Sequence, residues 1–323
     1  MPKKTQNKAI YRQLCKERKI IPHLFSQPWW LDVVSEKGEW EVILAYDKGG
    51  NVIGALPYYQ ELFWGIKVLK MPKLTPFFDV WMNYPPDVNK VYRKDVFEKQ
   101  VMAALISQLP SVSYFSQKYH YSLTNWLPFF WQNYQQTTRY TLVLEHLYDL
   151  EKIFANFSSK TRTKIRSAEK NLIVEEGDDV RIFWRLNEKS FQAQNKAVPY
   201  TLEFFLRLDQ TLSEKQARKI FYAFDGNGNY IAAIYLVWDE DSSYCLATGV
   251  DRALPPSYGA VSLLIWHAIQ YASTVVQRFD FEGSMLLGVE RFFRAFGSEQ
   301  KPYFQIYKSK NRFFESIRIL LNR

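Results

Sequence analysis

The chain has 323 residues, of which 47% are apolar and 23% charged, so it can form two globular domains and is too apolar to be disordered. Its two cysteines exclude a disulfide scaffold. Because we find neither an apolar leader nor an 18-residue apolar run, we expect a cytoplasmic protein with no membrane span. The net charge of +9 suits anionic partners, although a solvated basic tail explains it equally well.

The first half of the chain is predicted to mix strands and helices. Apolar residues spaced four apart indicate a long amphipathic helix at residues 91–109, and the Pro- and aromatic-rich stretch at 74–86 indicates an irregular loop. In chain order we predict a helix at 6–19, a helix from 28, strands at 41–46, 52–60 and 66–71, the helix at 91–109 and a strand at 112–117.

The second half is predicted to repeat the order of helix, hairpin, strand, long helix and strand. Pro256 is expected in the first turn of its long helix, with Ser257 near the cap. In chain order we predict a strand at 140–144, helices at 149–157, 160–170, 178–194 and 201–212, a hairpin at 218–238, a strand at 244–250, a helix at 256–273, a strand at 277–281, a helix at 289–296, a strand at 303–308 and a helix at 311–321.

An internal repeat supports this division. Residues 43–59 and 221–237 share six identities in seventeen at an offset of 178, and both carry the apolar–turn–apolar pattern of a β-hairpin. The alternative is that any two hairpins look alike. We therefore predict two domains of one fold with mixed α/β sheets, at residues 1–137 and 138–308, and the final segment at 309–323 can pack on the first.

The motifs of several large enzyme classes do not occur in the sequence. We find no GxxxxGK[ST], GxGxxG after a strand, HExxH, CxxC or GxSxG, and the four histidines are scattered without ligand spacing. This argues against P-loop enzymes, Rossmann dehydrogenases, serine hydrolases and a bound metal.

The basic segment at residues 160–170 is the first candidate site. Arg162, Arg166 and Lys170 are spaced at i, i+4 and i+8, so they share one helix face, with Lys160 and Lys164 on the next. A capped helix start beside these cations could bind a phosphate. A solvated basic helix is the alternative.

The end of the predicted strand at 244–250 and the start of the next helix form the second candidate. Thr248, Gly249 and Val250 end the strand, and small residues open the helix near Tyr258–Gly259–Ala260. Free N–H groups at such a helix start could bind a pyrophosphate or an acyl carbonyl, or the helix could simply be well capped.

Two further candidates follow at the next strand and helix. Strand alternation places Asp280 and Glu282 on one face at a strand end, where a carboxylate could accept a proton from an amine. Alternatively, each caps a turn or pairs with Arg278 or Arg291. Arg294 lies in a short aromatic helix and could bind an anion or merely lie at the surface.

These segments, in this order, resemble the Fem family of tandem GNAT-fold enzymes, which attach amino acids to peptidoglycan precursors. Residues 160–170 are similar to its K-x-R-x-x-I-R-x-A-E-K stretch, and the hairpin at Asp225-Gly226, the strand end at Thr248-Gly249 and the Phe292-x-x-x-Phe296-Gly297 helix also fit. The likeness covers most of residues 25–308.

The sequence departs from the family pattern at two points. Phe293 stands where Fem ligases usually carry a lysine, and Ala295 replaces a glycine of the same motif. These two substitutions in one motif are the first departure, and the second is that the long coiled-coil arm of several members that use aminoacyl-tRNA is missing. Both departures weaken a transfer-RNA-dependent role and leave acyl transfer open.

The resemblance implies an acyltransferase whose second domain holds the donor, either acyl-CoA or aminoacyl-tRNA. Its acceptor would be a small molecule or a peptidoglycan precursor, with tRNA as a further partner. The alternative is an inactive module that binds a nucleotide-sugar or RNA. The predicted catalytic residues are Glu282 as base, with Thr248 and Gly249 at the donor carbonyl; the donor-binding residues are Val250, Tyr258, Gly259 and Ala260; the acceptor-binding residues are Lys160, Arg162, Arg166, Tyr200 and Arg294.

Overall fold

The computed structural model describes residues 2–255, 258–283 and 285–310, which form two compact units. Unit 1 contains the described residues up to Arg139 and from Pro302 onward, and unit 2 is Tyr140–Lys301. The units differ from the predicted domains in that residues 302–308 belong to unit 1, because the last strand pairs there. The predicted helix at 311–321 lies outside the described residues.

The described residues form twelve strands, ten α-helices and one short 3-10 helix, Leu24–Ser26. Two strands, β6 and β12, cross the boundaries between the units. In chain order the elements are α1 Pro2–Lys16, α2 Pro28–Val34, β1 Gly38–Tyr46, β2 Val52–Phe63, β3 Ile66–Lys70, β4 Trp81–Met82, α3 Val91–Ser107, β5 Tyr114–Lys118, α4 Leu127–Phe130, β6 Gln135–Leu144, α5 Leu150–Asn156, α6 Ser159–Ala168, β7 Ile173–Gly177, α7 Val180–Gln192, α8 Leu202–Glu214, β8 Arg218–Phe224, β9 Tyr230–Trp238, β10 Ser242–Val250, α9 Ala260–Ala272, β11 Arg278–Asp280, α10 Leu287–Arg294 and β12 Glu299–Ser309.

The sheets of the two units have the same order and sense of strands. Unit 1 runs β1-β2-β3-β5-β12, with β3 and β5 parallel and the other neighbours antiparallel. Unit 2 runs β7-β8-β9-β10-β11-β6, with β10 and β11 parallel and the others antiparallel. The extra strand β7 was not predicted from the sequence. A parallel pair joined by one long helix in each unit is the predicted mixed α/β architecture.

The two hairpins match at atomic detail, which confirms the internal repeat. The register slips between Ala45 and Tyr46 in one and between Ala223 and Phe224 in the other, which are equivalent positions at the offset of 178. In both turns an aspartate accepts two backbone N–H groups and the amide of an asparagine four residues on, at 3.0 Å from Oδ2. Gly50 and Gly228 take the left-handed position, with φ of 82° and 79°.

Each unit has its own hydrophobic core. In unit 1, α3 covers β2, and Gly54 allows this contact because a Cβ there would lie 2.4 Å from Val101 Cγ1. In unit 2, α9 covers β8 and β9, and α7 packs along β9 and β10. The strand ends of unit 2 are thereby held between two helices.

Candidate active site

The two parallel strands of unit 2 part after a short paired stretch. β10 and β11 pair only through residues 242–244 and 278–280, while β10 continues to Val250. The register of β10 against β9 shifts between Cys245 and Ala247, so a β-bulge bends β10 as it leaves β11. None of the described strands covers this edge of β10 beyond the bulge, so a ligand with hydrogen-bonding groups can bind along it.

Side chains from α7 and from residue 200 occupy part of this edge. The Asn187 amide donates to the Thr248 carbonyl at 2.8 Å, and the Ser190 hydroxyl accepts the Val250 N–H at 2.7 Å. Tyr200 donates its hydroxyl to Asn187 Oδ1 at 3.0 Å. The Val250 N–H is therefore already bonded to Ser190, and a donor carbonyl can bind there only after displacing that hydroxyl.

Sequence reasoning missed Asn187 and Ser190. Asn187 is buried on α7 beside Val180, Phe183 and Leu186, which form the apolar face of that helix. A polar residue in an apolar stripe must find a partner when it is buried. That break in the pattern is the signal that could have identified Asn187.

Gly249 lets α7 approach β10. A Cβ at this position would lie 2.5 Å from the Asn187 backbone nitrogen and 2.6 Å from the Leu186 carbonyl carbon. Backbone atoms cannot relieve such a contact by changing rotamer as a side chain can, so only glycine fits at this position. The predicted role of Gly249 at a donor carbonyl stays a prediction, and its observed role is to admit the helix that carries Asn187 and Ser190.

β11 ends at Asp280, and the chain turns sharply at Glu282. Glu282 is half-buried, with φ of 52°, in the left-handed region that residues other than glycine rarely adopt. The predicted alternation of Asp280 and Glu282 along one strand is wrong, because Asp280 is buried and accepts the Glu282 N–H at 2.7 Å. Backbone strain of this kind concentrates at functional sites, which favours Glu282 over Asp280 as the reacting group.

The charge of Glu282 reaches the β10 side of the parted strands. Burial, and after it the negative charge of Glu282, raises the pKa of Tyr200. Burial and then the same charge raise the pKa of the Cys245 thiol. Cys245 lies on β10, and Tyr200 is hydrogen-bonded to Asn187, whose amide donates to the Thr248 carbonyl. The negative charge of Glu282 therefore acts electrostatically on groups at the same end of β10.

Asp280 gives a testable pH dependence. Burial raises the pKa of its carboxyl from 3.8 to about 7, and Glu145 adds to this, whereas hydrogen bonds from Thr141 and the Glu282 N–H oppose it. The folded protein thus holds this proton to a higher pH than the unfolded chain. The resulting stabilisation is complete below the unfolded value and is lost as the pH rises through about 7.

We therefore expect Asp280→Asn to gain stability relative to the natural protein as the pH rises from about 4 to about 8, with no further gain at higher pH. Asparagine keeps an oxygen that accepts the Glu282 N–H but carries no ionisable proton. Urea unfolding midpoints of both proteins across this range measure the effect. Parallel pH profiles would show that Asp280 does not titrate in this window.

The start of α9 brings a cation to the predicted donor-binding residues. Gly259 is the N-cap, with φ of 90°, and a Cβ on it would lie 2.7 Å from the Lys164 carbonyl oxygen of α6. The Lys164 ammonium lies 4.9 Å from the ring centroid of Tyr258, which is exposed. Ala260 is buried as the first residue of α9, which begins four residues later than predicted; Pro256 and Ser257 lie outside the described residues.

The basic helix α6 uses one arginine for structure. Ser158 accepts the Thr161 N–H, which confirms the predicted cap. Arg162 donates to the carbonyls of Ala155 and Phe157, the latter at 2.7 Å, and so closes the end of α5. It shares a shallow groove with Arg166, Phe154 and Trp266.

The remaining cations predicted for the acceptor do not converge. Arg166 lies over the Phe154 ring at 5.7 Å, Lys160 is exposed, and Arg294 forms an ion pair with Glu290 on its own helix. Three of the predicted acceptor residues thus lie along α6, and Arg294 lies on a separate helix, α10.

Phe293, at the position of the family lysine, is part of an aromatic cluster. Its ring centroid is 5.0 Å from that of Phe281, which is buried directly before Glu282. The side chain at this position therefore supports the strand end by packing.

The duplication identifies the residue of unit 1 that corresponds to Glu282. Phe115 and Phe279 occupy matching registers in the two parallel pairs, so three residues further on Lys118 corresponds to Glu282. In addition, β3 ends at Lys70, two residues before Pro72, whereas β10 runs six residues beyond its paired stretch. Unit 1 therefore has neither the carboxylate nor the parted strand of unit 2.

Within the described residues, no group of three or more His, Cys, Asp or Glu side chains is arranged to hold a metal ion. Over the same part of the chain, no helix is both long and apolar enough to cross a bilayer.

Comparison with known proteins identifies the fold to which this mixed α/β topology belongs. Residues 155–294 match the family model described as an acetyltransferase (GNAT) domain. The structure is similar to that of FemX, with a TM-score of 0.63 over 93% of this chain and 95% of that chain at 10% identity. The chain has a Fem-like GNAT fold.

Other structures share this Fem-like GNAT fold at low sequence identity. L-PGS from Bacillus licheniformis matches with a TM-score of 0.53 at 12% identity, covering 91% of each chain. The C-terminal domain of a putative lysylphosphatidylglycerol synthetase from Agrobacterium fabrum matches at 0.52 and 10% identity, covering 87% of each. No curated protein matches the sequence. These likenesses establish the fold.

Proposed function

We propose that unit 2 transfers an acyl or aminoacyl group from an activated donor to an amine. The observation that carries this proposal is the parted end of β10 beside the strained Glu282 turn, in a domain that matches the GNAT acetyltransferase family. The donor is acyl-CoA or aminoacyl-tRNA, so the reaction takes place in the cytoplasm. The acceptor is a small molecule or a peptidoglycan precursor that carries an amine.

In the proposed reaction the acceptor nitrogen attacks the donor carbonyl carbon. A C–N bond forms and the C–S or C–O bond to the carrier breaks. The donor carbonyl takes the place of the Ser190 hydroxyl at the Val250 N–H, which polarises it, while Gly249 and Thr248 shape the strand beside it. Glu282 accepts the proton that the nitrogen loses, and this proton then passes to the departing thiol or hydroxyl.

Charge on unit 2 supports binding of an anionic donor and acceptor. Lys164 beside Tyr258 lies at the start of α9, where donor phosphates would bind near Gly259 and Ala260. Lys160 and Arg166 present exposed cations for the acceptor. Arg162 acts on the acceptor only through the groove it shares with Arg166, since its guanidinium also closes α5.

Transfer of radiolabel tests this proposal. Purified protein is incubated separately with labelled acetyl-CoA and with a labelled aminoacyl-tRNA pool, together with small amines and peptidoglycan-precursor peptides. We expect label in an amine product with one of the donors. Absence of transfer from both donors to every amine would overturn the proposal.

Binding measurements distinguish the two donors. If the donor is aminoacyl-tRNA, affinity should fall steeply with salt as several phosphate contacts release counterions. If it is acyl-CoA, CoA alone should raise the melting temperature at stoichiometric concentration without any RNA binding.

An inactive binding module is the second candidate, favoured by one observation. Phe293 stands at the position of the family lysine, and its ring packs against Phe281, so it cannot supply the amino group of that lysine. For this candidate we expect binding of RNA or a nucleotide-sugar without transfer of label.

A further inference from the structure

The turn that carries Glu282 is held by a small hydrogen-bonded cluster on β6. The Thr141 hydroxyl donates to Asp280 Oδ1, which also accepts the Glu282 N–H at 2.7 Å. Thr141 Oγ1 in turn accepts the Gly283 N–H at 2.9 Å. One hydroxyl and one carboxylate oxygen thus bind two successive backbone N–H groups of the turn.

The cluster is closed to solvent. Thr141 is 6% exposed and Asp280 is 1% exposed. The turn lies directly on β6, because a Cβ on Gly283 would be 2.4 Å from the Thr141 Cα. Water therefore has no room to replace the Thr141 hydroxyl, and loss of that hydroxyl would leave buried polar groups without a partner.

We propose that Thr141 and Asp280 are positioning residues that hold Glu282 in its left-handed backbone conformation for proton transfer. This inference rests on the proposed function, in which Glu282 is the base. A left-handed glutamate is unfavourable on its own, so the two N–H bonds must stabilise it. Without them the carboxylate would leave its place beside the end of β10.

The corresponding place in unit 1 shows what the cluster adds. Ser116 corresponds to Asp280 and Gln305 to Thr141, and the Gln305 amide donates to Ser116 Oγ at 3.0 Å. This neutral pair lies on a strand that continues through Lys118, and Lys118 is not among the described residues with positive φ. The carboxylate and the left-handed turn therefore occur together, in the unit that carries Glu282.

The test compares Thr141→Val with Thr141→Ser and uses Ser116→Ala as the matched control in unit 1. Valine has nearly the shape of threonine without the hydroxyl, whereas serine keeps the hydroxyl. The first readout is the backbone chemical shifts of Glu282 and Gly283 by NMR with selective labelling, which report the conformation of the turn. We expect the turn to leave the left-handed region in Thr141→Val and to stay in it in Thr141→Ser and Ser116→Ala.

The second readout is steady-state kinetics in the label-transfer assay. We expect Thr141→Val to lower kcat at least tenfold with the donor KM unchanged within about twofold, because the base is displaced while donor contacts remain. Thr141→Ser and Ser116→Ala should keep kcat within about threefold of the natural protein.

The two readouts separate failure of this inference from failure of the proposed function. A folded Thr141→Val protein whose Glu282 shifts are unchanged, or whose kcat is unchanged, overturns the positioning role. If the turn moves in Thr141→Val while Glu282→Gln keeps full activity, the hydrogen-bonded cluster holds the turn but Glu282 is not the base, and the positioning role for proton transfer is overturned while group transfer stands. If the natural protein transfers no label from either donor, the proposed function itself fails.

Discussion

Replacement of Glu282 by glutamine is expected to lower turnover at least tenfold, and up to about a thousandfold, with little effect on folding. Glutamine has nearly the same shape and can still accept hydrogen bonds, but it cannot take a proton from the attacking amine. The backbone N–H that binds Asp280 is unchanged by the substitution, so the turn should persist. Initial rates of label transfer at saturating donor measure the effect.

The duplicated fold offers a matched control for this variant. Lys118 occupies the corresponding place in unit 1, so Lys118→Gln changes one charge at the same position of the other sheet. We expect Lys118→Gln to retain activity. Equal losses in the two variants, or full activity of Glu282→Gln, would contradict the assignment of the base to unit 2.

Gly249→Ala is expected to destabilise unit 2 by roughly 3 kcal/mol and to abolish transfer. The added Cβ would meet the Asn187 nitrogen at 2.5 Å and the Leu186 carbonyl carbon at 2.6 Å. Relief of these contacts requires α7 to move away from β10. That movement would break the bonds from Asn187 and Ser190 to the end of the strand.

Gly226→Ala is the control for this effect. A Cβ at Gly226 would meet nothing within 4 Å, and Gly226 is not among the glycines with positive φ. We expect its free energy of unfolding, measured by urea titration, to match that of the natural protein within about 0.5 kcal/mol. A Gly249→Ala protein of equal stability would show that α7 can withdraw from β10 without cost, and the proposed geometry of the strand end would then be wrong.

The fold could be predicted because its signals are local and repeated. An aspartate–glycine–asparagine turn between two apolar strands specifies a hairpin by itself, and two copies at one offset indicate two related domains. The order of helix, hairpin, strand, long helix and strand follows from hydrophobic periodicity. The strand β7 was missed because it is short, three of its five residues are exposed, and it lies at the edge of the sheet.

The site was only partly predictable because its geometry depends on tertiary contacts. Strand alternation assumes that β11 continues, but Asp280 binds the Glu282 N–H and turns the chain into the left-handed region. Likewise, nothing local reveals that Ser190 reaches the Val250 N–H, sixty residues away in sequence. The sequence could identify the segments that meet at the site, and the fold decides which backbone groups remain available.

The central claim is that unit 2 holds the activated donor along the parted end of β10. Hydrogen–deuterium exchange, with and without acetyl-CoA and with and without an aminoacyl-tRNA pool, tests it most directly. We expect one of the donors to protect residues 245–250 and 281–283 and to leave the corresponding segments of unit 1, residues 71–76 and 117–119, unchanged. Protection confined to the unit 1 segments, or no protection with either donor, would contradict the claim.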